Sequence, residues 1–445
     1  MSNKKGGYRA ILAHRQYTKL IGANIVNRFG DSIDAIAFTW LVYELSGSAA
    51  WSAIIFGVNM LPTVVLGPFA GALAERMDKK WTMIISDLIR GLLVALTAAL
   101  YVFNVLTPVI MLCITVLHST VEAFRIPCGT AIVPRLLPKE DYEFGVSLNS
   151  SMSRVMEIIG LASAAGIIAL AGIPGAIMID GVTFFLSAAI IAWIRAGKEP
   201  ERGEAEEKQG YWQTLKAGFS YVLNTPAILS LCLLALLLNG LLVPLNALNA
   251  PLVNEIYHLG PEAMSLGGIL LTIGGALGAF IYPYIKRRIS GKALIVSGFL
   301  VIGLSYGALI WVQELAAVPV LFFSVLGVVL IIFTLSLALL GGHFSVLVYK
   351  VVSPEYLARV GSTMGAICTL AIPVLSFLMG GLTLVLGVGG VFYLFGGVCL
   401  VSLILLLAFR TLDGLNEGGA ACEVHLSPAN GPDVGSAELS DDQNR

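Results

Sequence analysis

The chain has 445 residues, 57% hydrophobic and only 12% charged, with a formal charge of −1 and a mean hydropathy of +0.86. Soluble domains carry about 25% charged residues, so this composition excludes a water-soluble globule and points to an all-α polytopic membrane protein. The small net charge conceals two parts. After Arg410 the tail holds Asp413, Glu417, Glu423, Asp433, Glu438, Asp441 and Asp442 against Arg445 alone. The remainder is moderately basic, as suits a body that faces anionic lipid.

Apolar runs long enough to cross a bilayer, roughly 20 residues each, centre on 19–44, 49–73, 82–103, 106–125, 145–171 and 173–195. Six more follow at 227–253, 263–285, 293–312, 317–346, 361–386 and 389–409, which predicts twelve transmembrane helices in all. The basic amino terminus precedes a first run that is long and itself charged, so that run reads as a spanning helix, not a cleaved leader. Basic residues cluster in alternate connections: Lys4 to Lys19, Arg76 to Lys80, Arg135 with Lys139, Lys198 to Lys216, Lys286 to Lys292, and Lys350, Arg359 and Arg410. The other connections carry Glu44, Glu255, His258, Glu262 and Glu314 and no lysine or arginine. By the positive-inside rule the first set is cytoplasmic, which places both termini in the cytoplasm of a multi-pass protein of the plasma (inner) membrane.

The longest internal connection divides the spans six and six. The expected organisation is an amino-terminal bundle over 1–195, a linker with an amphipathic stretch over 196–225, a carboxy-terminal bundle over 226–410, and a disordered acidic tail over 411–445. The two halves echo one another. Arg135, Glu140 and Ser147 recur in spacing as Lys350, Glu355 and Ser362, and Arg76 with Lys80 recurs as Arg288 with Lys292. The offsets are close to one another, the mark of a parallel internal duplication.

In the first span Asn24, Asn27, Asp31 and Asp34 follow one another in steps of three and four, which sets them on one helical face. A charge at the bilayer centre costs at least ~2.5–3.5 kcal/mol, so such a stripe needs water or a partner. Arg28 stands one turn from Asp31 and is its expected partner, leaving Asp34 as the better proton carrier. His118, Glu122 and Arg125 repeat the pattern in the fourth span, and Arg154 with Glu157 in the fifth. Two readings stand open for these rows: salt bridges that lock the bundle, or a relay in which Glu122 alternates between its acid form and a pair with Arg125 or Arg154. Asp180 reads as a packing residue near the far end of the sixth span.

The second half differs, with no aspartate between Asp180 and Asp413. Its expected lining is neutral: Asn239, Asn246 and Asn249 in the seventh span, beside Pro244 and Pro251, which permit bending. His343 reads as a solvated residue at the end of the tenth span. An acidic wall facing an amide-bearing, greasy one suits an amphiphilic or weakly basic molecule. The six cysteines have no metal-type spacing and read as small buried residues. No P-loop is present, no basic aromatic patch suggests nucleic acid, and no cofactor, metal or enzymatic activity is expected.

The loop Gly71-Ala72-Leu73-Ala74-Glu75-Arg76-Met77-Asp78-Lys79-Lys80 resembles the G-x-L-A-D-R-x-G-R-K signature of the major facilitator superfamily, with Glu75 for Asp and Asp78 for Gly. Gly30-Asp31, Ser86-Asp87-Leu88-Ile89-Arg90, Phe124-Arg125-Ile126-Pro127 and Asn149-Ser150 are similar to the branch holding macrolide-efflux proteins and enterobactin exporters. The fifth span reads Gly160-Leu161-Ala162-Ser163-Ala164-Ala165 where antiporters of the superfamily often have G-P-x-x-G-G.

This resemblance implies two pseudo-symmetric six-helix bundles, a gating role for Gly71, Glu75, Arg76, Lys80, Asp87 and Arg90, and proton-coupled export of an amphiphilic small molecule by a monomer. The protein's expected partners are thus that substrate, protons and the lipid bilayer. Competing readings are a translocase for lysophospholipid-like substrates and a membrane sensor that kept the fold without transporting.

Overall fold

A computed structural model describes residues 8–195, 226–351 and 357–408. The expected linker and acidic tail, and the echo at Lys350, Glu355 and Ser362, lie outside the residues or side chains described. A short α1 (Tyr8–Ala13) leads into α2 (Arg15–Ser46), α3 (Ala49–Arg76), α4 (Lys79–Val102), α5 (Pro108–Ala131) and the double-length α6 (Tyr142–Ala192). The second half holds α7 (Pro226–Gly240), the fragments α8 (Val243–Ala247) and α9 (Asn249–Pro251), then α10 (Pro261–Lys286), α11 (Gly291–Trp311), α12 (Pro319–Val351) and the double-length α13 (Leu357–Ala408).

Among the described residues nine stretches are long and apolar enough to cross a membrane. Two of them, in α6 and α13, turn back on themselves and cross twice. α2 falls outside the nine because Arg28, Asp31 and Asp34 sit in its middle, yet its 32 residues span about 48 Å at 1.5 Å per residue. With α2 and the two returns, the spans come to twelve. α7 to α9 form one crossing, broken near Pro244 and Pro251 and finished by a π-helical turn at Leu252–Ile256.

The turning points carry the duplication into the backbone. Gly172 (φ 70°, ψ 177°) interrupts α6 and Gly387 (φ 68°, ψ 175°) interrupts α13. Such angles are essentially restricted to glycine, because a Cβ there meets the backbone. Asp78 caps α4 by accepting from the Trp81 amide at 3.0 Å. Ser290 caps α11 in the same way, accepting from the Ala293 amide at 3.2 Å. Each cap opens the third span of its half, so caps and breaks recur at nearly the same separation.

Within the first half α2 packs on α6, α4 on α5 and α6, and α3 on α5; within the second α10 and α11 pack on α12, and α11 on α13. The halves meet where α3 lies on α13 and α6 on α10. One buried apolar cluster fills the second half and runs on into Ile33, Ile36, Leu41 and Ile55 of the first. A separate cluster (Tyr17, Leu20, Met83, Ile132, Ile191) sits at the end nearest the amino terminus and belongs to the first half alone. On the opposite end the Tyr43 hydroxyl donates to Glu255 Oε1 at 3.0 Å, joining α2 to the π-turn. The halves are therefore welded at the face remote from the amino terminus.

Candidate functional site

The ionisable residues of the first half converge. α4 enters at Lys79, and its rise carries Asp87 about 12 Å and Arg90 about 16 Å into the bundle. One turn apart, they face inward and are 0% and 5% exposed. Arg90 is the hub. Its Nη2 lies 3.5 Å from Asp31 Oδ1 and 3.7 Å from Glu122 Oε1, and its Nε donates to His118 Nε2 at 3.2 Å. The guanidinium carbon also stands 4.2 Å from the centre of the Phe184 ring, whose face attracts a desolvated cation.

Asp87 anchors a second cluster. Its Oδ1 accepts from Arg125 Nε at 2.6 Å and its Oδ2 from the Ser187 hydroxyl at 2.7 Å. With its oxygen toward Arg125, the Asn27 amide accepts from Nη2 at 3.0 Å and donates to the Thr183 carbonyl at 3.3 Å, which satisfies both ends. α2 and α6 approach closely enough for this because residue 30 is glycine. A Cβ there would stand 2.0 Å from Thr183 Oγ1 and 2.4 Å from Asp180 Oδ1. Asp180 is buried, and Thr183 donates to its Oδ1 at 3.2 Å.

A third, less enclosed cluster lies one turn back on α2. Arg28 Nη2 meets Glu157 Oε2 at 2.7 Å, and Arg154 Nη1 meets the same oxygen at 2.9 Å. Asn24 donates to Asn149 Oδ1 at 3.0 Å.

The geometry corrects several expected pairings. Arg28 does not hold Asp31; it reaches across to Glu157 on α6, while Asp31 turns to Arg90. Glu122 pairs with neither Arg125 nor Arg154, because Arg125 is committed to Asp87 and Arg154 to Glu157. Asp87 and Arg90, expected to share the gating role of the loop, stand inside the bundle as the centres of its ion-pair clusters. Of the loop itself, Lys80 donates to the Ala192 carbonyl at 2.8 Å, tying α4 to the end of α6. Gly71 is half-buried, and the side chains of Glu75 and Arg76 lie outside the described residues. His343 is not solvated: it is 5% exposed, with Nδ1 3.3 Å from the Tyr282 hydroxyl.

Asp34 borders the Arg90 cluster without an ion pair to it. Its Oδ1 is sealed from solvent and has no hydrogen-bond partner. The residue lines a small, half-open cavity of about 60 Å³ with His118, Asn59 and Thr115. The amide residues of the second half do not join it: Asn239 donates to its own helix at Ala235 O, 2.9 Å away, Asn246 is exposed and Asn249 half-buried. Among the described residues no grouping of His, Cys, Asp or Glu is arranged to hold a metal ion.

Sequence spacing alone left out Asn59, Thr183 and Ser187. The last two, with Asp180, recur on one face of the sixth span, a signal present in the sequence. Asn59 is a lone amide in an apolar run and gives none.

The profile of the Major Facilitator Superfamily matches residues 20–375. The chain belongs to that superfamily, and it is a multi-pass membrane transporter, not an enzyme. It is 26% identical over 323 residues to an uncharacterized MFS-type transporter, YkuC, of Bacillus subtilis (strain 168), covering 69% of this chain and 74% of that one. It is 27% identical over 358 residues to macrolide efflux protein A of Streptococcus pyogenes, covering 78% and 84%. The crystal structure of nucleoside transporter NupG superimposes with a TM-score of 0.69 at 14% identity, over 89% of this chain and 99% of that one. The last likeness establishes the fold alone.

Proposed function

We propose that this transporter is a proton-coupled exporter of an amphiphilic small molecule, of the drug/proton antiporter type. One observation carries the reading. Around the two arginines of the buried clusters, Arg90 and Arg125, stand five carboxyl groups: Asp31, Asp34, Asp87, Asp180 and Glu122. Uncompensated charge in hydrocarbon is costly, so the surplus favours protonation or the arrival of a cation. Asp31 and Glu122 share one guanidinium, so a proton taken by either leaves Arg90 with a partner. Asp34, with an unsatisfied oxygen, is the carboxyl least committed to structure. A proton resting there and a cationic substrate are alternatives, which is the elementary requirement of exchange.

Export as the direction is supported by the likeness to macrolide efflux protein A. Read with the positive-inside orientation, the welded face is the outer one. In this reading the halves part on the cytoplasmic side, from which an exporter loads. The loop at Gly71, Glu75, Arg76 and Lys80 serves as the gate on that side, and Asn239, Asn246 and Asn249 line the facing wall.

The test is growth of an efflux-deficient bacterial host across a panel of toxic amphiphiles. Expression should raise tolerance to some of them, and Asp34→Asn should abolish the gain at equal protein level. A protonophore should abolish active efflux of the same compounds from loaded cells. A gain in tolerance that survives Asp34→Asn, with efflux indifferent to the protonophore, contradicts the proposal.

A further inference from the structure

The exposed cluster of the first half reverses the charge balance of the buried ones. Arg28 of α2 and Arg154 of α6 meet on one atom, Glu157 Oε2, at 2.7 and 2.9 Å. Asp31, the carboxylate one turn from Arg28, is held by Arg90. Two guanidiniums thus share a single carboxylate, and the group carries a net positive charge. The arginine side chains are 40% and 71% exposed against 16% for Glu157. The cations are open to a ligand and their counter-charge is not.

Position shows what lies in front of them. α6 enters its apolar span at Phe144, and its rise sets Arg154 about 15 Å deep, midway through a hydrocarbon core of ~30 Å. An arginine bare to lipid at that depth is costly. Arg154, Glu157 and Leu161 follow in steps of three and four, which sets them on one face of α6. Leu161 packs against α10 of the second half, where a Cβ on Gly268 would stand 3.3 Å from Leu161 Cδ2. Arg154 therefore faces the second half, two turns nearer the start of α6 than this contact, and borders the space between the halves.

A helix lock does not account for both cations. Arg28 alone ties α2 to α6, whereas Arg154 sits three residues from Glu157 on the same helix and links nothing further. Such an exposed pair contributes little to stability. A guanidinium has five N–H donors and no acceptor, so each keeps donors after meeting Glu157. Two such forks, arriving from different helices, suit a group with two or more anionic oxygens.

We infer that Arg28 and Arg154 bind an oxyanion, a carboxylate or phosphate, on a molecule entering between the halves. This deepens the transport reading by giving its amphiphile an acidic group, while binding itself requires no gradient. Glu157 is the internal counter-ion that the ligand displaces from the arginines.

The test uses the full chain in uncharged dodecyl maltoside micelles near neutral pH. Calorimetry compares 4-phenylbutyrate with neutral 4-phenylbutanol, and lysophosphatidate with the monoacylglycerol of the same chain. At least one anion should bind about tenfold or more tightly than its neutral counterpart, the scale of a charge-assisted hydrogen bond. A preference shown by 4-phenylbutyrate identifies a free organic acid, and one confined to lysophosphatidate identifies a lipid headgroup. Arg154→Gln, at a mostly exposed side chain, should erase the preference, while Arg287→Gln, at an exposed arginine after α10, should not. Glu157→Gln removes the competing carboxylate and should strengthen anion binding severalfold, an effect that a mere helix lock would not produce.

Equal affinity within both pairs of ligands overturns the inference. So does a preference untouched by Arg154→Gln, or anion binding that Glu157→Gln leaves unchanged or weaker. Proton-driven efflux with no anion preference would sink this site and leave the transport reading standing. Anion binding without proton-driven flux would do the reverse.

Discussion

Asp87 and Arg125 illustrate how the buried charges constrain one another. A fully enclosed carboxylate held by a guanidinium and a hydroxyl is tolerated because each partner removes the other's cost. Removing one partner strands the other: Asp87→Ala should lower stability by about 3–5 kcal/mol. The double variant Asp87→Ala/Arg125→Leu should lose clearly less than the sum of the two single changes. Denaturant or thermal unfolding of the four proteins in detergent measures this, and strict additivity would show that the pair is not coupled.

The carriers of this chemistry were legible in the sequence, since steps of three and four residues set Asn24, Asn27, Asp31 and Asp34 on one face of α2. Their partners were not. Spacing places side chains on their own helix but says nothing of the helix opposite. Arg28 and Asp31 look paired at one-turn spacing, yet Arg28 finds Glu157 and Asp31 finds Arg90. A charge inside a membrane takes the partner that packing presents, wherever that partner lies in the chain.

At the scale of elements, the decisive features are two glycines. Gly172 and Gly387 let one continuous helical run double back without a loop. The other crossings are set by ordinary signals: Asp78, Thr107 and Ser290 cap helices by accepting from the amide three residues on, and Gly47 closes α2 in the left-handed conformation (φ 58°). Gly172→Val and Gly387→Val should each cost about 1–3 kcal/mol through backbone strain, and by similar amounts, because the two turns are copies. Thermal unfolding of each variant checks this; no loss at either position would show that the turn can close another way.

Both breaks were readable in the sequence because α6 and α13 are too long and too apolar to cross once. The fragmentation of the seventh span was only half readable. Pro244 and Pro251 announced bending, but the π-turn after them depends on packing: Tyr257 is buried there and donates to Leu309 O at 2.7 Å.

The whole molecule divides its labour unequally. Duplication supplies two bundles with matching caps and matching breaks, yet almost all intramembrane charge has gathered in the first. The second presents apolar and amide surface, and its core is continuous with the far half of the first. That asymmetry gives one half for ions and one half for grease, the division the proposed amphiphilic substrate would use. The weld between the halves, with Tyr43 on Glu255 at its edge, marks which side of the molecule is shut. The fold class could be read from composition and the rhythm of basic loops. Which face was closed could not, since two states of a rocking transporter share one sequence.

The most direct test is flux in proteoliposomes carrying an imposed proton gradient, with a substrate taken from the growth panel. The account predicts uphill substrate movement in the wild type, and loss of proton-driven accumulation in Asp34→Asn and in Glu122→Gln while downhill exchange persists. Undiminished proton-driven accumulation in both variants would contradict it.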